Sequence, residues 1–560
     1  MALAHDAGRT DLPLLDGTIG AALDRAVAAH PERDALIVRH SAGEASAEWR
    51  GGAGVRLSWS ELANEVDRVA RGLLARGARV GDRLGIWSPN HAEWVLTQLA
   101  TARIGVVLVT LNPAYRTHEV AYALRRSGCR FLVAASAFKT SDYRAMIEEV
   151  RPELPALEQV VLLDTDDWAA LVADGDGFGS PGTTVAAVEA GLTADDAINI
   201  QFTSGTTGFP KGATLSHRNI LNNGWFVGEG CRYTEVDRVC IPVPLYHCFG
   251  MVMGVLGCVT HASAMVFPAP AFEPEATLRA VEEERCTSLY GVPTMFIAEL
   301  GDPTFAERDL SSLRTGIMAG SPCPVEVMKR CIAEMHMDEV TICYGMTETS
   351  PVSTQTAADD DLDRRVGSVG RVHPHVEIQV VDPEGGAVVE RGETGELCTR
   401  GYSVMLGYWD DEERTAEAID GDGWMHTGDL AVMDEAGYVN IVGRSKDMVI
   451  RGGENIYPRE VEEFLYTHPD VVDVQVIGVP DERYGEELMA WVTLRDGASL
   501  TLDGLREFCA GRIAHQKVPR YLHVVDEFPM TVTGKVQKYL MRERSIEMLG
   551  LESAAATETA

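Results

Sequence analysis

Residues 203–212 read Thr203-Ser-Gly-Thr-Thr-Gly-Phe-Pro-Lys-Gly212, which places glycines, four hydroxyl residues and a lysine within ten positions. Glycines let backbone N–H groups come close to a phosphate, hydroxyls donate to its oxygens, and Lys211 adds a cation. The spacing is not that of a Walker A loop, because Pro210 stands before the lysine. The run Ile198–Phe202 leads into the stretch as a strand would, and the embedded Pro-Lys-Gly favours a phosphate-binding loop over a plain flexible one.

Upstream, residues 1–195 alternate between helix and strand patterns. Ser60 is placed to cap a helix whose apolar positions Leu62, Val66, Val69 and Leu73 share one face, and Gly77 stops it. Arg83–Trp87 reads as a strand, His91–Arg103 as a helix and Val106–Leu111 as a strand before the Asn112-Pro113 turn. This rhythm predicts an α/β domain of stacked, largely parallel subdomains. Residues 41–54 and 174–183 read as surface loops. Further α/β alternation runs to about residue 380, where short strands and Gly-rich turns predict a small β region. Beyond Gly443-Arg444 the pattern changes to Gly-rich turns, a helix at Pro458–Tyr466 and short strands, the size of a small mobile α+β domain. The division expected is residues 1–443, a hinge at 444–446, a C-terminal domain at 447–552 and a disordered tail at 553–560.

Composition narrows the functions. A chain of 560 residues exceeds a single core, and 45% hydrophobic with 24% charged residues is ordinary for a globular protein. The 84 acidic and 49 basic residues leave a net charge of −35, which repels nucleic acid and anionic membranes. A site for polyanions must then gather its own positive groups. The eleven cysteines show neither CxxC nor zinc-ligand spacing and read as reduced core thiols of a cytoplasmic protein. The N-terminus lacks the basic and apolar regions of a signal peptide. The apolar stretch from about Cys248 to Phe267 holds His261, Thr260, Ser263 and glycines, and reads as buried core rather than a membrane span.

Four further motifs follow in order: Tyr344-Gly-Met-Thr-Glu348, Thr427-Gly-Asp429, Gly443-Arg444 and Pro529-Met-Thr-Val-Thr-Gly-Lys535-Val-Gln-Lys538. With residues 203–212 they resemble, in kind and order over nearly the whole chain, the adenylate-forming superfamily. That superfamily holds acyl-CoA synthetases, luciferases and the adenylation domains of peptide synthetases. The resemblance implies that Thr203, Ser204, Gly205, Thr206, Thr207, Gly208, Pro210 and Lys211 bind ATP phosphates. It implies that Tyr344 stacks on adenine, with Gly320, Ser321 and Gly345 beside it, and that Thr347 sits by the α-phosphate. Glu348 resembles the Mg²⁺ ligand. Asp429 resembles the acceptor for the ribose hydroxyls, with Arg444 helping to hold the nucleotide.

Lys535 resembles the lysine that carries adenylation: an ammonium between carboxylate and α-phosphate offsets the repulsion of two anions. Lys446 matches the hinge position, where many relatives carry Asp. Gly452, Gly453 and Glu454 resemble the loop lining the CoA tunnel. His247 matches a catalytic position beside the acyl pocket.

The resemblance thus implies a two-step enzyme using ATP, Mg²⁺, CoA and a small carboxylic acid, and it leaves a homo-oligomer open. Asn112-Pro-Ala-Tyr-Arg and Tyr344–Pro351 look most like medium-chain fatty acyl-CoA synthetases, a long-chain acid being left open, with aryl-CoA ligases next. Tyr246-His247-Cys248-Phe249 lacks the Asp that an amino-acid-adenylating relative uses to pair the substrate amine. A non-catalytic nucleotide-binding relative is the reading from another class, and retention of Lys211, Glu348, Asp429 and Lys535 speaks against it.

Overall fold

The computed structural model describes residues 2–39, 54–177, 184–203, 210–321, 323–444, 447–451, 454–481, 483–531 and 534–551. For Arg444, Glu454 and Asn455 it describes the backbone alone. Of the expected loops, residues 41–53 and 178–183 lie outside the described residues, as does the tail at 553–560, while residues 174–176 are not loop but the last turn of the helix Asp166–Asp176.

Two large mixed sheets with parallel centres form the body. In one, the parallel strands Ala197–Thr203, Val107–Thr110, Arg83–Trp87, Phe131–Ala134 and Gln159–Leu162 lie side by side. Lys211–Ser216 pairs antiparallel on the outer side of Ala197–Thr203, followed by Gly407–Tyr408. In the other, Glu339–Gly345, Thr315–Ala319, Ser288–Gly291, Arg238–Cys240, Ala264–Phe267 and Asp34–Val38 are parallel. Short antiparallel strands close both edges. These strands are buried and close to continuously apolar, as strands covered on both faces must be.

The helix Trp59–Ala75 shows how local chemistry sets such elements. Leu62, Val66, Val69 and Leu73 are at most 1% exposed, so the apolar stripe faces the core as expected. Its cap, however, is Ser58 and not Ser60. Ser58 and Glu61 are the pair with capping-box spacing: the Ser58 hydroxyl accepts the Glu61 N–H and the Glu61 carboxylate accepts that of Ser58. Ser60 lies inside the first turn and donates its N–H to Pro31. Arg83–Trp87 and the helix Ala92–Arg103 fall where the sequence puts them. The apolar stretch after Cys248 is buried: a π-helix Phe249–Leu256, an α-helix Gly257–His261 and the strand Ala264–Phe267. Among the described residues no helix is long and apolar enough to cross a membrane. All eleven cysteines are buried and free.

The small β region is an antiparallel sheet of His5–Ala7, Val376–Val381, Thr394–Gly401, Met425–Met433 and Val439–Arg444. The contribution of residues 5–7 has no local sequence signal. The C-terminal part has its own core around Val474, Val476, Leu488 and Leu505. Its sheet joins Val449–Arg451, Glu454–Ile456, Val471–Asp481, Gly485–Leu494 and Tyr521–Val524, with helices Pro458–Leu465, Leu502–Cys509 and Lys538–Leu549 against it.

Candidate active site

Thr203, Gly320 and Tyr344 stand at or just past the carboxyl ends of parallel strands, where open α/β sheets bind ligands. Ser204, Gly205, Thr206, Thr207 and Gly208 lie outside the described residues. The hairpin that holds them is described, and Thr203 opposes Lys211 across it. The Pro210 carbonyl accepts the Tyr122 hydroxyl at 3.1 Å.

This hairpin meets the buried Glu348. One carboxylate oxygen of Glu348 accepts the Thr203 hydroxyl at 3.2 Å and the Tyr408 hydroxyl at 2.9 Å. The Lys211 ammonium lies 4.8 Å from the centre of the Tyr408 ring, a cation–π contact. Burial and the charge of Glu348 raise the Tyr408 phenol far above its ordinary range, so it stays a donor. Sequence reasoning missed Tyr408, because its place depends on Gly407–Tyr408 pairing with Ala213 and Thr214, some two hundred residues away.

Tyr344, Gly345, Thr347 and Glu348 form one continuous corner. Gly345 ends the strand, and a Cβ there would lie 1.8 Å from the Pro351 carbonyl oxygen, so the backbones approach too closely for any other residue. The turn Thr347–Thr349 follows, with Thr347 and Glu348 buried. The Tyr344 hydroxyl donates to Asp429 at 2.7 Å, which ties this corner to the five-stranded sheet. Asp429 stands opposite Arg444 in register. The predicted adenine and ribose residues are thus brought together. Ser321, beside Gly320, is partly buried.

His247 occupies the next position round the site. Its Nδ1 accepts the Phe249 N–H at 3.2 Å, so the neutral ring carries its proton on Nε2. Burial, and then the positive charge of Lys535, push this imidazole down to about 3, and it is neutral at physiological pH. Burial pushes the adjacent Cys248 thiol up to about 11, against the pull of Lys535. The Cys248 sulfur lies 3.8 Å from the Thr347 hydroxyl.

Lys535 comes up to this corner, beside Gly320, from the C-terminal part of the chain. A methyl group on Gly320 would stand 3.6 Å from Lys535 Cε. A turn holds the lysine: its N–H donates to the Thr531 hydroxyl at 3.1 Å, and its carbonyl accepts the Thr531 N–H at 2.8 Å. Gly534 has φ +76°, and a Cβ there would come within 2.8 Å of Val292. The Thr294 hydroxyl donates to the Gly534 carbonyl at 3.2 Å. Arg459, on the helix Pro458–Leu465, donates to the Ile441 carbonyl at 2.8 Å across the same seam. Lys446, Gly452 and Gly453 lie outside the described residues, and the Glu454 backbone opposes Arg451 in a hairpin.

The family described as AMP-binding enzyme matches residues 23–409, and the AMP-binding enzyme C-terminal domain matches residues 460–535. The protein YngI of Bacillus subtilis (strain 168) is 47% identical over 558 residues, covering 97% of this chain and 99% of its own. The mitochondrial medium-chain acyl-CoA ligase ACSF2 of Danio rerio is 44% identical over 562 residues, covering 97% and 91%. The crystal structure of ATP-bound MatB from Rhodopseudomonas palustris superposes with a TM-score of 0.84 at 32% identity, covering 95% of this chain and 100% of that one. With family models, relatives and fold in agreement, the chain belongs to the AMP-binding enzyme family and is a ligase of its acyl-CoA synthetase branch.

Proposed function

We propose that this enzyme joins a medium-chain fatty acid to CoA in two steps at one site, with ATP as the energy source. The observation that carries the reading is the position of Lys535 over Gly320, its charge felt by His247 and by Cys248, whose sulfur lies 3.8 Å from the Thr347 hydroxyl. In the first step a carboxylate oxygen attacks the α-phosphorus and the bond to pyrophosphate breaks. The Lys535 ammonium stands between the two anions and offsets their repulsion as the bond forms. In the second step the CoA sulfur attacks the acyl carbon and AMP leaves. Neutral His247 borders the acid rather than taking its charge. Tyr344 and Gly320 frame the adenine, and Asp429 accepts the ribose hydroxyls.

Glu348 is a buried carboxylate that gathers hydroxyl groups beside the phosphate hairpin, a hard-oxygen setting that suits Mg²⁺. Bound there, Mg²⁺ would neutralise charge on the departing pyrophosphate. Glu348→Gln is expected to raise the Mg²⁺ concentration for half-maximal activity at least about tenfold, as loss of metal-site partners does. A Mg²⁺ titration that matches the parent enzyme would put the metal ligand elsewhere.

Residues 444–446, with Lys446 at their end, are read as the hinge between a nucleotide-binding part and the part that carries Lys535. Rotation about it would withdraw Lys535 after adenylation and bring Gly452, Gly453 and Glu454 to the CoA arm. The apolar run Phe249–Met253 and Tyr290 suit an aliphatic tail, and the ACSF2 relative is named for medium-chain acids. Eleven free thiols fit a reducing compartment such as the cytoplasm.

The test is pyrophosphate release with ATP and Mg²⁺ across straight-chain, aryl and amino acids, with and without CoA. A CoA-dependent maximum at medium chain length is expected. A maximum with aryl acids would overturn the substrate, and no release with any acid would overturn catalysis.

A further inference from the structure

Glu396 takes no part in the chemistry above, yet it holds the turn that carries Asp429 at two points. One carboxylate oxygen accepts the Gly428 N–H at 2.9 Å, and the other lies 2.9 Å from His426 Nδ1. The strand register explains why the contact exists. Thr394–Gly401 pairs with Met425–Met433 so that Glu396 opposes Leu430 and Cys398 opposes His426. Leu397 alone therefore faces Thr427, Gly428 and Asp429, and the strand bulges there. A bulge re-aims a side chain and strips backbone groups of their ladder partners.

Each group left over finds a substitute. The Thr427 hydroxyl donates to the Leu397 carbonyl at 2.6 Å and accepts the Asp429 N–H at 3.1 Å. Glu396 supplies the acceptor for Gly428, whose φ of +70° completes the turn. His426 is braced in turn by Asp420, 3.8 Å from its Nε2, and by the Cys398 sulfur, 3.5 Å from its Nδ1.

We propose that Glu396, steadied by His426, is a positioning residue for ribose recognition: it fixes the bulge so that the Asp429 carboxylate faces the ribose hydroxyls. This rests on the reading of Asp429 given above. Gly428 is exposed, so without Glu396 its N–H turns to water and the sheet survives. What is lost is the aim of Asp429.

Glu396, Cys398 and His426 also offer ligand atoms within 4.8 Å of one another, the geometry of a metal cluster. In this structure both Glu396 oxygens are engaged, one with the Gly428 N–H and the other with His426, so that Glu396 and His426 form a hydrogen-bonded brace.

The experiment compares kcat/KM for ATP with that for 2′-deoxy-ATP and 3′-deoxy-ATP, read as acid-dependent pyrophosphate release. A hydroxyl bonded to a charged group should give the parent enzyme a preference of about 10- to 100-fold. Asp429→Ala should erase it. Glu396→Ala should cut it by about fivefold or more and raise the KM for ATP more than it lowers kcat, with the unfolding temperature little changed. Glu396→Gln, which can still accept from Gly428 and donate to His426, should restore most of it. Parent-like discrimination in Glu396→Ala, with loss in Asp429→Ala, would overturn the positioning role alone. A parent enzyme indifferent to both hydroxyls would overturn the reading of Asp429 itself.

Discussion

Lys535→Ala is expected to lower acyl-adenylate formation by about 10²- to 10³-fold, the usual cost of removing one preorganised charge or donor from a site of developing charge. The same variant should convert preformed acyl-adenylate and CoA to thioester at close to the parent rate. The asymmetry follows from geometry. The turn that carries Lys535 lies on the seam at which Gly534 meets Val292 and Thr294. An orientation of the C-terminal part that opens this seam takes the lysine out of the site. Quenched-flow measurement of the two half-reactions decides the matter, and equal losses in both would show that Lys535 acts throughout the cycle.

Gly345→Ala is expected to weaken ATP binding by about 5- to 150-fold, the equivalent of about 1–3 kcal/mol of overpacking. The added methyl group would meet the Pro351 carbonyl, which is backbone and cannot rotate away as a side chain would. Relief requires the end of the Glu339–Gly345 strand to part from the strand that follows it. Tyr344 lies on one side of that movement, Thr347 and Glu348 on the other, so the adenine, α-phosphate and metal positions proposed above would be disturbed together. The KM values for ATP and Mg²⁺ should both rise while far-ultraviolet circular dichroism stays parent-like. Unchanged KM values would mean that the corner tolerates the shift.

Much of this molecule was legible because its signals are local. Arg83–Trp87 and Ala92–Arg103 announce themselves through short apolar runs and their boundaries. The misplaced cap, Ser60 for Ser58, came from weighing one serine without its partner Glu61. The candidate site residues were read as motifs, through resemblance, and the structure hydrogen-bonds Thr203 to Glu348 and Tyr344 to Asp429. Tyr408 and Glu396 were not legible. Each owes its role to a pairing between strands, Tyr408 beside Thr214 and Glu396 beside a bulge, and neither stands in a pattern that side-chain periodicity reveals. The position of Lys535 over Gly320 is likewise a matter of how two parts of the chain meet.

The strand His5–Ala7 gives the five-stranded sheet one of its edges, and His5 meets Glu377 across 372 positions of chain. During synthesis at about 5–20 residues per second, residues 5–7 wait roughly 20–70 s before their partner strand exists. The sheet that presents Asp429 therefore gains this edge only after the 372 positions between His5 and Glu377 have been made.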